Sequence, residues 1–96
     1  MDSILYIESN KRKVTVYTET EYYTCYEKLN TIEQLLGTER FIRCHQSYLV
    51  NMNYVSEAND VCLLQNGEEV LIRKKSKKQI QQKVLDYKEK SGDPTI

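Results

Sequence analysis

Phe41-Ile42-Arg43-Cys44-His45-Gln46-Ser47-Tyr48-Leu49-Val50-Asn51 is the stretch that decides how this chain is read. Phe41 to Cys44 and Tyr48 to Val50 are rich in β-forming residues and read as two extended segments. Between them lies a polar centre, Arg43 to Ser47. Strand, polar connection and returning strand place a cation, an imidazole, an amide and a hydroxyl at the end of a sheet.

Upstream, Leu29, Ile32, Leu35 and Leu36 fall at helical spacing. Asn30 is expected to cap this helix, Glu33 to take its third position, and Gly37 to end it in a left-handed turn. The result is a short amphipathic helix packed on the sheet. Before it, Ile4 to Ile7, Val14 to Tyr17 and Tyr22 to Tyr26 read as strands, with polar Asn10 to Lys13 as a basic hairpin tip. Downstream, Tyr54-Val55 predicts a short strand, and Val61 to Leu64 and Val70 to Ile72 a hairpin. Asn66-Gly67 supplies the positive φ angles of its tight turn. Ser76 and Gln79 form a capping box for a final helix, whose apolar stripe is Ile80, Val84 and Tyr87. The fold class is mainly β: short strands, one inserted helix and one C-terminal helix. Residues 1–90 are expected to form one domain and 91–96 a disordered tail.

The chain has 96 residues, enough for one domain with a modest core. No apolar run reaches membrane-spanning length, and the N-terminus lacks the basic and apolar regions of a signal peptide, so a cytoplasmic protein with no membrane partner is expected. Fourteen Lys and Arg balance fourteen Asp and Glu. The distribution says more than the sum. Lys11, Arg12 and Lys13 form one basic cluster, and Arg73, Lys74, Lys75, Lys77 and Lys78 another; Glu19, Glu21, Glu27, Glu33 and Glu39 lie between them. A neutral protein with segregated charge presents a positive face. The bland reading of a lysine run is solvated surface.

Three stretches carry the candidate chemistry: Asn10 to Lys13, Arg43 to Ser47, and Arg73 to Lys78. Arg and Lys neutralise phosphates, Gln and Asn pair with adenine edges, and Ser orients phosphate oxygens. If the stretches converge on one edge they make a continuous footprint for duplex DNA. Cys44 beside His45 invites a nucleophile reading, but neighbours on a strand point to opposite faces. Cys25, Cys44 and Cys62 match neither a disulfide framework nor a structural zinc pattern, so core packing is favoured for them, and no cofactor or metal is expected. Most of the eight tyrosines sit at alternating strand positions and are expected in the core or half-buried.

Within residues 41–51, Phe41, Arg43, His45, Ser47, Tyr48, Val50 and Asn51 closely resemble the signature of the LytTR family of bacterial DNA-binding output domains. Ile4 to Glu8, the Leu29 to Leu36 helix and the hairpin around Asn66-Gly67 resemble that family's flanking elements in order. The resemblance runs from about residue 4 to about residue 80. It implies a β-rich domain without a recognition helix, whose loops enter successive major grooves and bend the DNA. It also implies a receiver domain upstream and dimers on paired promoter repeats. Carried over, the base-reading positions are the Asn10, Lys11, Arg12 and Lys13 loop, Gln46, and the Lys74 to Lys77 loop with Lys75 the best match. Arg43 and His45 help with backbone contacts and loop shape; Ser47, Arg73 and Lys78 complete the site. The family's first one or two strands and its receiver domain are expected to be missing here, its last loop often reads Ser-Arg, and the final helix is longer than usual. Some members use the cysteine matching Cys44 as a redox sensor. Its partner position here is Val70, which argues against such a switch and leaves Cys62 as the other possible partner. The expected function is a sequence-specific transcriptional regulator with no enzymatic activity. The alternative is a protein- or ligand-interaction module using a β edge and the C-terminal helix, and a cysteine-dependent enzyme ranks last.

Overall fold

Along Ile4–Asn10 the side chains alternate between buried and half-buried, the period of a strand with two unlike faces. This strand, β1, is the middle of the structure, a computed structural model that describes residues 4–90. The expected tail at 91–96 lies outside the described residues. Seven further strands follow: β2 (Lys13–Thr18), β3 (Tyr22–Tyr26), β4 (Phe41–His45), β5 (Tyr48–Asn51), β6 (Val55–Ala58), β7 (Val61–Leu64) and β8 (Glu69–Leu71). Helix α1 spans Leu29–Leu36 and α2 spans Lys77–Lys90.

The strands make two antiparallel sheets, a five-stranded one in the order β3-β2-β1-β5-β4 and a three-stranded one in the order β6-β7-β8. Each face of the larger sheet has its own core. On one, Ile7, Val14, Phe41 and Leu49 pack with Leu29 at the start of α1. On the other, Leu5, Ile42, Cys44 and Val50 meet Cys62, Leu64 and Val70 of the smaller sheet and Ile80 and Val84 of α2. Asn51 is the buried polar residue among these apolar ones. Its Nδ2 donates to the Ile4 carbonyl at 2.8 Å and its Oδ1 accepts the Asn53 N–H at 3.0 Å, which satisfies both ends of the amide.

A row of rings also joins the sheets. Tyr6 stacks on Tyr17 with centroids 4.6 Å apart, and Tyr48 stands 6.3 Å from Tyr6. Tyr17 and Tyr48 both donate to the Glu8 carboxylate, at 3.2 and 3.4 Å. Tyr6 reaches across to Glu68, beside the β7–β8 turn, at 3.1 Å.

The structure corrects several expectations. Asn30 does not cap α1; Lys28 holds that position without a side-chain bond, and Asn30 Oδ1 instead accepts from Arg43. Gly37 does end the helix with φ 79°. The stripe of α1 is only partly covered: Leu29 is buried and Ile32 packs, but Leu35 is 77% exposed. Tyr22, Tyr23 and Tyr26 are exposed, and so is Cys25, because β3 is an edge strand that no second layer covers among the described residues. Tyr54 lies in a 3-10 turn, Met52–Tyr54, and the strand starts at Val55. Gly67 alone has a positive φ, 93°, in the β7–β8 turn. Leu64 and Gly67 close a four-residue turn at 2.9 Å, and Leu64 then pairs with Glu68. This is the three-residue hairpin loop with a glycine bulge. Asn66 keeps a negative φ and uses its side chain to hold Glu68, accepting the backbone N–H at 3.0 Å and donating to the carboxylate at 2.9 Å.

Two stability measurements follow from these details. Lys11, at the β1–β2 tip, has φ 61°, a region that costs an L-residue ~1 kcal/mol. Lys11→Gly removes that strain, partly offset by the freer unfolded chain, and raises unfolding free energy by ~0.5 kcal/mol in urea titrations; Arg12→Gly lowers it. Burial first, and then the bond to Glu68, push the Tyr6 hydroxyl well above its ordinary pKa. A group whose folded pKa is raised contributes stability below its unfolded pKa, and that stability drains away as pH climbs. Alkaline titration above pH ~10 therefore destabilises the protein, and Tyr6→Phe flattens that dependence.

Candidate nucleic-acid interface

The first two stretches and the start of the third, Arg73, meet at one end of the five-stranded sheet. β1 and β2 turn there through Lys11 and Arg12, with Asn10 paired to Lys13. β5 runs antiparallel to β1 with Tyr48 opposite Glu8, so the β4–β5 turn lies at the same end. The Ser9 N–H donates to the Ser47 carbonyl at 2.8 Å and joins the two hairpins. The Arg73 N–H donates to the Cys44 carbonyl at 2.7 Å and brings the third stretch alongside β4. Beyond it, Lys74–Ser76 forms a 3-10 turn and α2 begins at Lys77, directly after Ser76.

Arg43 shapes the β4–β5 turn. Its Nε donates to the His45 carbonyl at 3.1 Å and its NH2 to the Gln46 carbonyl at 2.7 Å. Its NH1 donates to Asn30 Oδ1 and Glu33 Oε1 of α1, both at 2.8 Å. A guanidinium with its donors so occupied is a brace rather than an open phosphate ligand. The Ser47 N–H donates to His45 Nδ1 at 3.1 Å, and the ring leans on Tyr48 at 5.5 Å. These bonds leave Gln46 at the apex, exposed, with a side chain that bonds to nothing among the described residues.

Lys11, Arg12, Lys13, Arg73, Lys74, Lys75 and Lys78 are all exposed. Among the described residues, the ion pairs of the three stretches are Arg43–Glu33 and Lys77–Asp60. Lys77 holds the Asp60 carboxyl below the usual range, so its ammonium is engaged by the protein's own β6–β7 turn. Sequence reasoning missed Asn30 and Glu33 as the partners of Arg43; the helical spacing of Glu33 was visible, but nothing local pointed to an arginine ten residues on.

The thiols are free. Cys44 and Cys62 are buried; a hydrogen bond with Cys62, and then burial, push the Cys44 thiol far above its ordinary pKa. A protonated, enclosed thiol is a poor nucleophile. Among the described residues, no group of three or more His, Cys, Asp or Glu side chains is placed to hold a metal ion. No helix of the described residues is long and apolar enough to cross a membrane.

Known proteins agree with this geometry. The family described as LytTr DNA-binding domain matches residues 1–85. The sensory transduction protein LytT of Bacillus anthracis is 33% identical over 57 residues, which are 59% of this chain and 23% of that protein. The transcriptional regulatory protein NatR of Bacillus subtilis is 33% identical over 52 residues, 54% of this chain and 22% of the relative. The match thus spans less than a quarter of each of these relatives. A solved LytTr DNA-binding domain from Bacillus cereus superposes with a TM-score of 0.75 at 29% identity, covering 86% of this chain and 81% of that one. Sequence, strand arrangement and superposition converge, and the chain belongs to the LytTr DNA-binding domain family.

Proposed function

We propose that this domain binds duplex DNA sequence-specifically, as the output module of a bacterial, cytoplasmic response regulator. Domains of this family bind DNA in transcriptional regulation and are not enzymes. The observation that carries the proposal is the rim itself. Seven exposed cations of the three stretches form no ion pair among the described residues, and Lys11 and Arg12 flank a Gln46 side chain whose backbone is braced from inside. Lys11, Arg12, Lys13, Arg73, Lys74 and Lys78 dock on phosphates, and Gln46 and Lys75 read base edges in the major groove, with Asn10 beside them. Arg43, His45 and Ser47 keep the reading turn in shape, and Lys77 contributes less because Asp60 occupies it. Two copies on paired repeats, bending the DNA, and an upstream receiver domain complete the reading.

Salt dependence tests it. With ~6 phosphates neutralised, log K falls with log salt at a slope near −5; a slope near zero contradicts the proposal. A protein-interaction role has one observation in its favour, the uncharged, exposed edge strand β3, and a salt-insensitive partner there is its signature.

Two substitutions separate reading from bracing. Gln46→Ala lowers discrimination at one base pair by ~1–3 kcal/mol while the domain melts normally. Arg43→Lys keeps the charge but loses the fork, so it behaves like Arg43→Ala, weakening binding and lowering stability by ~1–3 kcal/mol. Rescue of binding by Arg43→Lys shows instead that Arg43 touches phosphate.

A further inference from the structure

A cleft of about 840 Å³ opens between the β1–β2 tip, the β4–β5 turn and the junction of β3 with α1. Lys11 and Arg12 line it from the tip, Gln46 from the turn, and Tyr26 and Lys28 from the junction. Those last two belong to none of the three basic stretches. Tyr26 is 79% exposed and forms no bond among the described residues, and the Lys28 ammonium likewise has no partner. Glu27 is the acid in the lining, and its carboxylate is turned onto the Lys28 backbone N–H at 3.0 Å. Arg43 also lines the cleft, but Glu33 neutralises it.

The walls are tied together. Ser9 and Ser47 join the tip to the turn at 2.8 Å. Arg43 joins the turn to Asn30 of α1 at 2.8 Å. Leu29, next to Lys28, is anchored in the core. The cleft is therefore held open without a ligand, which lowers the ordering cost of filling it.

We infer that this cleft receives the sugar–phosphate backbone of one DNA strand, with Lys28 and Tyr26 as phosphate-docking residues beside the base-reading Gln46. The inference rests on the DNA-binding reading above and extends its footprint beyond the three stretches. Lys11, Arg12 and Lys28, with no ion pair among the described residues, stand around one open channel and match a polyanion. A lysine ammonium and a tyrosine hydroxyl are both regular donors to phosphate oxygens. The occupancy of this surface also accounts for a large aromatic left uncovered on an edge strand.

The test compares wild type with Lys28→Ala and Tyr26→Phe on a duplex selected from random sequence and on its scrambled version, across a salt series. Lys28→Ala is expected to weaken both duplexes by one factor, about fivefold at low salt, and to reduce the salt slope by ~0.9. Tyr26→Phe is expected to weaken both while leaving the slope unchanged, because a neutral donor releases no counterion. Lys90→Ala, at the far end of α2, is the control for general charge loss and leaves binding intact. Lys28 is exposed, so thermal melts of its variant are expected to match wild type. Unchanged affinity and slope in Lys28→Ala, with Lys11→Ala still weakening, overturn the cleft assignment alone. Silence of Lys11→Ala, Arg12→Ala and Gln46→Ala as well overturns the DNA-binding reading with it.

Discussion

Arg43 donates from three nitrogens to four acceptors, and the working edge of the domain takes its form from those bonds. Two are the carbonyls of His45 and Gln46, inside the turn that the arginine itself precedes. The other two, Asn30 and Glu33, lie on α1. A planar fork reaches all four at once, which a lysine ammonium on a flexible stem does not. The pair with Glu33 is partly exposed, at 25% and 29%, so its value lies in geometry more than in Coulomb energy. Without it, the apex at Gln46 loses both its curvature and its attachment to the helix. His45 adds a second, local brace through Ser47.

Around this brace the charges are sorted by task. Cations with acidic partners are internal parts: Arg43 fixes a turn, and Lys77 ties the start of α2 to the β6–β7 turn. The other cations of the three stretches form no ion pair among the described residues. Glu8 and Glu68 accept hydrogen bonds from tyrosine hydroxyls and keep their charge. A net charge of zero coexists with a locally positive end because Lys11 to Lys13 and Arg73 to Lys75 are clustered without intervening acids. Lys11 adds a cost of its own, since its left-handed φ would suit glycine better.

Much of this was readable in the sequence, for identifiable reasons. Runs of apolar and β-forming residues marked β1, β4, β5 and the β7–β8 pair, alternation marked β2 and β3, and helical spacing marked α1 and α2. The rim was readable as three polar interruptions of strands. Their meeting was not, since it depends on backbone bonds from Ser9 to Ser47 and from Arg73 to Cys44. Asn30 read as a cap because capping is its strongest local preference; a distant arginine outcompeted it. Asn66-Gly67 read as a two-residue turn because the dipeptide favours one, but the Asn66 side chain stabilises a longer loop through Glu68. Tyr22, Tyr23, Tyr26 and Cys25 have the composition of a core strand and the location of an edge, and composition does not report location. Lys28 and Tyr26 gave no signal at all, because a cleft exists only once three elements have been brought together.

The most direct measurement is a titration of the isotopically labelled domain with a selected duplex, followed by backbone amide resonances. The account predicts that the shifts concentrate at residues 10–13, 46–47 and 73–75, with the Arg43 guanidinium signals retaining their internal bonds throughout. Shifts centred on the exposed face of α2, or none at stoichiometric DNA, would contradict it.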